Sequence, residues 1–242
     1  YRIQGFAEEP SIEELAELAM AYNLILIDDL GSGALVNLQE YGLENEPLVQ
    51  DSVKAGIDAA CFSGDKLIGG PQSGIIVGKT AVIKKIKKNP LARALRVDKM
   101  TIAGLEAALR LFLTPEKLSE SHPVYRMFSL PVKGLERRAS RMRKKLRSQL
   151  ANEAKIDVEN GESQVGSGSV PTEKIPTKLL KVEPQIETVD NLGKKLRSYA
   201  PPIFTRIQRD SVLFDFRTID KKEDKIVESA LLAILKKPDR HY

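Results

Sequence analysis

Lys66 stands in the run Phe62-Ser63-Gly64-Asp65-Lys66-Leu67-Ile68-Gly69-Gly70-Pro71-Gln72, directly behind an apolar segment and ahead of a glycine turn. A lysine that forms a Schiff base needs a rigid, partly desolvated place from which its amine reaches a carbonyl, and a strand-to-turn junction supplies one. Ser63, three residues earlier, could direct its hydroxyl and nearby amides toward a phosphate. Taken bare, a lysine near glycines is also what a solvent-exposed turn carries.

A second constellation lies about 37 residues upstream, where Asp28-Asp29-Leu30-Gly31-Ser32-Gly33 follows the apolar Leu24-Ile25-Leu26-Ile27. Both segments then end at one carboxyl edge of a parallel sheet, where ligand sites of α/β proteins form. An acid at that edge, facing a pyridine nitrogen, keeps the ring protonated and lets it accept electrons from a substrate carbanion. Asp28 and Asp29 both qualify, because neighbouring strand residues face opposite sides. Helix capping or loop solvation is the other use of such a pair.

The elements that must position these residues follow from periodicity. Ser11-Ile12-Glu13-Glu14 is a capping-box pattern, and Leu15, Leu18, Ala19 and Tyr22 recur at helical spacing, so a helix to about Tyr22 should pack one face on a sheet. Residues 24–28 read as a short, fully buried strand of the parallel type. A helix over 47–55 with Gly56 behind it, a buried strand over 57–62 and a third strand over 74–77 continue a βαβ rhythm. A helix from about Thr80 carries a lysine run, and another spans 101–113 until Thr114-Pro115 breaks it.

Composition shifts around 123–131. Beyond it, a basic helix over 133–150 aligns Leu135, Ala139, Met142, Leu146 and Leu150 in one packing stripe. Residues 161–176 read as a loop, 178–182, 203–207 and 212–216 as strands, and 188–198 and 222–236 as helices. The expected division is 1–130, part of a larger α/β domain, and 131–242, a small α+β domain.

The rest of the composition narrows the chemistry. One cysteine, Cys61, leaves no internal disulfide, and the two histidines, His122 and His241, have no metal-ligand spacing. Cys61 reads as a small buried hydrophobe and His122 as a loop residue. No apolar run approaches the ~18 residues of a membrane helix and no cleavable signal opens the chain, so a cytoplasmic protein without a membrane partner is expected. The net charge of +5 is moderate, but the cations cluster at 84–99 and 133–147, which suits either an RNA or a solvated helix face.

The two constellations together, with Asn89-Pro90-Leu91-Ala92-Arg93-Ala94-Leu95-Arg96-Val97-Asp98-Lys99 and, more loosely, the stretches from Pro201 to Arg206 and Asp215 to Thr218, resemble bacterial selenocysteine synthase, L-seryl-tRNA(Sec) selenium transferase. The resemblance implies a fold-type I, aminotransferase-like α/β architecture: part of the large domain that binds pyridoxal 5'-phosphate, followed by a small α+β C-terminal domain. It implies Lys66 as the Schiff-base lysine and base, Ser63 and Gly70 as cofactor contacts, and Asp29, or else Asp28, as partner of the pyridine nitrogen.

By the same resemblance Arg93 and Arg96 hold selenophosphate. Three apart, they share a helix face if 91–99 is helical. The resemblance implies that serine esterified to tRNA(Sec) becomes selenocysteinyl-tRNA(Sec) through an aminoacrylyl-tRNA intermediate. The roles of Arg206, Asp215 and Arg217 stay open between a cross-strand ion pair and catalysis. A homo-oligomer, a dimer or a ring of dimers, is expected, and no DNA partner.

The family's phosphate loop lies upstream of a segment like this one, so the chain is expected to be a fragment, inactive alone and unable to hold cofactor tightly. Two rivals are a β-eliminating fold-type I lyase acting on a small amino acid and a non-catalytic tRNA-binding or assembly module.

Overall fold

A computed structural model describes residues 9–43, 46–166 and 174–236. The chain divides into two compact units, the first running to Ser129 and taking in the segment that begins at Gln164, the second holding Leu130–Ser163 and the chain from Lys174. Both combine helices with a sheet, and the chain is an α/β protein.

The first unit holds α1 (Ile12–Ala21), β1 (Ile27–Gly31), α2 (Val49–Lys54), β2 (Ala59–Ser63), β3 (Gly74–Gly78), α3 (Thr80–Lys88), α4 (Pro90–Ala94), α5 (Lys99–Leu111), α6 (Leu118–Ser121) and α7 (Pro123–Ser129). Its sheet has the order β1-β2-β3. β1 and β2 are parallel, with Ile27 opposite Ala59 and Asp29 opposite Cys61. Asp58 fastens their entry: its carboxylate accepts the Leu26 N–H at 2.9 Å and the Lys79 ammonium at 3.1 Å.

β3 turns back antiparallel to β2, with Ser63 opposite Gly74. The segment between them, which carries Lys66, is therefore a wide hairpin loop. It is too short for the helical crossover that a third parallel strand requires.

α1 begins as expected, with Ser11 and Glu14 exchanging capping-box bonds. Its expected packing face does not materialise: only Ala19 is buried, while Leu18, Met20 and Tyr22 are exposed. The strand expected over 24–28 is likewise corrected. β1 starts three residues later, and Leu24, Ile25 and Ile27 are 59–64% exposed rather than buried. The Leu24 N–H bonds to the Ala19 carbonyl and Asn23 takes a positive φ of 54°, so helix-end geometry holds the start of the apolar run. At the end of α2, Gly56 does take the expected left-handed conformation, φ 90°.

The second unit holds α8 (Val132–Arg147), β4 (Ala154–Ser163), β5 (Ile175–Pro184), α9 (Val189–Arg197), β6 (Arg206–Gln208), β7 (Ser211–Asp215) and α10 (Asp224–Leu235). The sheet order is β4-β5-β7-β6, antiparallel throughout. The stripe Leu135, Ala139, Met142 and Leu146 of α8 is buried, and Leu150 after it. They join Leu192 and Leu196 of α9 and Val227, Leu231 and Leu235 of α10 over Leu180, Val182, Val212 and Phe214 of the sheet. Each fully buried leucine contributes about 2 kcal/mol of transfer free energy, and truncating Leu146 to alanine would cost about 2–5 kcal/mol. Arg138 pins α8 to α10 and to the turn behind β7, bonding Asp224, the Phe216 carbonyl and the Ile219 carbonyl at 2.6–2.9 Å.

Candidate active site

The Lys66 loop is tied at several points. The Gly64 N–H donates to the Ser73 carbonyl and the Gly70 N–H to the Gly64 carbonyl, both at 2.9 Å, closing the loop at its mouth. The Gly69 N–H donates to the Lys66 carbonyl at 3.0 Å, and Gly69 has φ +66°, which only glycine adopts without strain. Leu67 and Ile68 are buried, and Lys66 between them and the exposed Asp65 is half-buried. Gly70 is packed so closely that a Cβ there would lie 3.1 Å from both the Gly64 carbonyl oxygen and Leu105 Cδ1. Ser63 is half-buried at the end of β2.

The acid-and-glycine segment lies against this loop. A Cβ on Gly31 would stand 3.9 Å from Lys66 Nζ, so the amine hangs over the carboxyl end of β1. Gly31 and Gly33 both have positive φ, +62° and +69°, and a Cβ on Gly33 would press on Phe62 at 2.9 Å and on the Ser63 carbonyl at 3.0 Å. The Leu67 N–H reaches the Ser32 carbonyl at 3.4 Å. The two sequence constellations are thus adjacent in space.

The aspartates have different surroundings. Asp28 is half-buried and accepts the hydroxyl of buried Ser52 at 2.6 Å, which commits its carboxylate to α2. Asp29 is exposed, beside Cys61. Burial, and after it the Asp29 charge, push the Cys61 thiol up from its ordinary pKa, which keeps it protonated and inert.

Arg93 and Arg96 are not on one helix. α4 ends at Ala94, Leu95 caps it, and Asp98 opens α5 by accepting the Met100 and Thr101 N–H groups. An N-cap must have non-helical φ/ψ, so a continuous helix through 91–99 is excluded. Both arginines are exposed, and among the described residues neither makes an ion pair. The Asp98 carboxylate is held low by its bonds from Thr101 and Met100.

In the second unit, Asp215 accepts the Ser163 hydroxyl at 2.6 Å, the Thr177 hydroxyl at 2.7 Å and the Arg217 N–H at 3.0 Å, with Arg206 Nη2 at 3.5 Å. Arg217 is buried and donates to the Leu130 and Pro176 carbonyls. This network joins β4, β5 and β7 and has the form of a structural tie. His122, read from sequence as a loop residue, is 2% exposed and bonds the Ile68 carbonyl at 2.9 Å. The signal available in the sequence was its place before Pro123, which predicts a helix boundary.

The family model for L-seryl-tRNA selenium transferase matches residues 1–220. The chain belongs to the L-seryl-tRNA selenium transferase family. It is 47% identical over 236 residues to the L-seryl-tRNA(Sec) selenium transferase of Alkaliphilus metalliredigens, covering 98% of this chain and 50% of that protein. The Haemophilus influenzae enzyme of the same name is 42% identical over 220 residues, covering 90% of this chain and 48% of that protein. The chain therefore spans about half the length of the curated relatives it matches. Among solved structures, D-glucosaminate-6-phosphate ammonia-lyase shares the fold, with a TM-score of 0.53 at 19% identity over 97% of this chain and 56% of that one.

Membership in the selenium transferase family implies pyridoxal phosphate as cofactor. The residues present fit its reactive end. Lys66 offers a half-buried amine on a tied loop, and the space beside Nζ is the space a side chain at position 31 would fill. Asp29 offers a carboxylate not committed to Ser52.

Proposed function

We propose that this chain carries the lysine-bearing part of the active site of a selenium transferase that converts seryl-tRNA(Sec) to selenocysteinyl-tRNA(Sec) with selenophosphate. The observation that carries the reading is Lys66 Nζ standing over Gly31, beside the acid-bearing end of β1. The 47% identity to the Alkaliphilus enzyme supports the choice of reaction.

Pyridoxal phosphate, when bound, supplies the sink for the electrons released at the serine α-carbon. Lys66 would hold its carbonyl carbon, and the Lys66 amine, when free, would accept the α-proton. Asp29 would keep the ring nitrogen protonated, since Asp28 is held by Ser52. Ser63 and the amides near it would hold the phosphate. The β-hydroxyl would depart as water with the proton that Lys66 has taken, and Arg93 and Arg96 would hold the selenophosphate, whose selenium bonds to the β-carbon while water cleaves its P–Se bond and phosphate is released.

Exposed Lys133, Arg137, Arg141 and Lys144 on α8 support an RNA-facing surface. Met100, Ile102 and Leu113, exposed on and just beyond α5, support assembly into a homo-oligomer.

Borohydride reduction of the full-length protein with its cofactor, followed by peptide mapping, should place the modification on Lys66 and lose it in Lys66→Ala. Absence of any adduct in the wild type overturns the reading. The ammonia-lyase fold relationship supports one rival, elimination on a small amino acid. Turnover of free serine without tRNA would favour it.

A further inference from the structure

We infer that His122 is a positioning residue for Lys66, holding the Lys66–Gly69 turn through the Ile68 carbonyl. This rests on the reading of Lys66 given above. The imidazole is buried, and both of its nitrogens are used. Nδ1 accepts the Val124 N–H at 3.2 Å, so it carries no proton. Nε2 must then carry one, and it donates to the Ile68 carbonyl at 2.9 Å.

The ring also fills the place a side chain at position 69 would take. A Cβ on Gly69 would stand 2.6 Å from His122 Cε1 and 2.8 Å from Nε2. Gly69 is the residue whose N–H closes the turn onto the Lys66 carbonyl. Phe112 and Tyr125 meet the imidazole edge-to-face, with centroids 5.5 and 4.9 Å away, and fix its orientation. Burial pushes the Tyr125 hydroxyl above its ordinary pKa, so this wall of the ring's pocket stays uncharged. The turn is thus clasped on one side by the Ser32 carbonyl, through Leu67, and on the other by His122. Both clasps fall directly after Lys66 in the chain, at Leu67 and Ile68, and tie the turn that carries it.

Three substitutions separate this role from core filling. Phe keeps a ring but no donor, Asn keeps an acceptor near Nδ1 but cannot reach Ile68, and Gln places an amide N–H near Nε2. In the full-length enzyme, His122→Phe and His122→Asn should speed hydrogen exchange in the peptide 64–70 about tenfold, the scale of one lost buried hydrogen bond. Reductive trapping of pyridoxal phosphate at Lys66 should slow by a similar factor. His122→Gln should restore both to within about threefold.

The inference is overturned if His122→Phe matches the wild type in both readouts, or if His122→Gln is as impaired as His122→Phe. It is overturned as well if the loop exchanges faster with no change in trapping, or if protection falls throughout the first unit in all three variants. Should the wild type itself fail to trap at Lys66, the cofactor reading falls, and the exchange arm still decides whether His122 holds the turn.

Discussion

The Ser52 hydroxyl donates to the Asp28 carboxylate at 2.6 Å across the gap between α2 and β1. That bond commits the Asp28 carboxylate to α2, and the proposed function therefore gives the cofactor role to Asp29. Asp28→Ala leaves a buried hydroxyl without its acceptor and should lower stability by about 1–3 kcal/mol, read as a shift in urea midpoint. Asp29→Asn should leave the midpoint unchanged yet reduce turnover of the full-length enzyme at least about a hundredfold, the scale of a lost charge at the reacting centre.

Gly31 and Gly33 differ in what a methyl group would meet. Gly31→Ala incurs the left-handed backbone penalty, about 1–2 kcal/mol, and meets only Lys66 Nζ at 3.9 Å. Gly33→Ala adds contacts at 2.9 Å to the Phe62 ring and 3.0 Å to the Ser63 backbone oxygen. Thermal melts should rank Gly33→Ala as the more damaging of the two.

Arg138 should be irreplaceable by lysine. Its guanidinium bonds the Asp224 carboxylate, the Phe216 carbonyl and the Ile219 carbonyl while lying 5.1 Å over the Phe216 ring. An ammonium on a single stem cannot make that set. Arg138→Lys and Arg138→Ala should each destabilise by about 3 kcal/mol, measured by denaturant unfolding.

Asp58 sets an acid limit. The Leu26 N–H, and after it the Lys79 ammonium, hold its carboxyl below the usual carboxylate range. A pKa depressed on folding adds stability that is present above the unfolded value, about 3.9, and is lost as pH falls through the folded value. Asp58→Asn should therefore be less acid-sensitive than the wild type below about pH 4 and no more stable at neutral pH, as urea midpoints at several pH values would show.

Arg93→Ala and Arg96→Ala should raise the selenophosphate requirement of the full-length enzyme about tenfold or more, the scale of a lost charge-assisted contact. Trapping at Lys66 should be unaffected, because neither arginine touches that loop in the proposed division of roles.

Elements announced by strong local signals were legible from sequence. Ser11 with Glu14 marks the start of α1, Thr188 caps α9, and the stripe through Leu135 and Leu146 places the buried face of α8. β4 is masked in the sequence because its alternation, Ala154, Ile156 and Val158, gives way to Glu159, Asn160 and Gly161, polar residues that an edge strand tolerates. α7 was hidden by Pro123, whose position as first helical residue is favourable rather than disruptive.

The placement of Lys66 on a loop behind a strand was legible in one short motif, and the contacts between distant segments were not. Nothing local in Asp28 or Asp29 says which one Ser52 engages, and nothing near His122 says that Ile68 is its partner. Arg96 misled for a different reason. Helical spacing from Arg93 was correct arithmetic, but the capping preference of Asp98 is the stronger local force.

The pairing of Ser63 with Gly74 makes the lysine loop a closed circuit of chain. A loop closed by its own strands loses its configurational freedom when the protein folds, not when a ligand arrives. In the proposed function, cofactor capture at Lys66 would meet an anchor already in place, so its ordering cost would belong to folding and the binding step would be spared it.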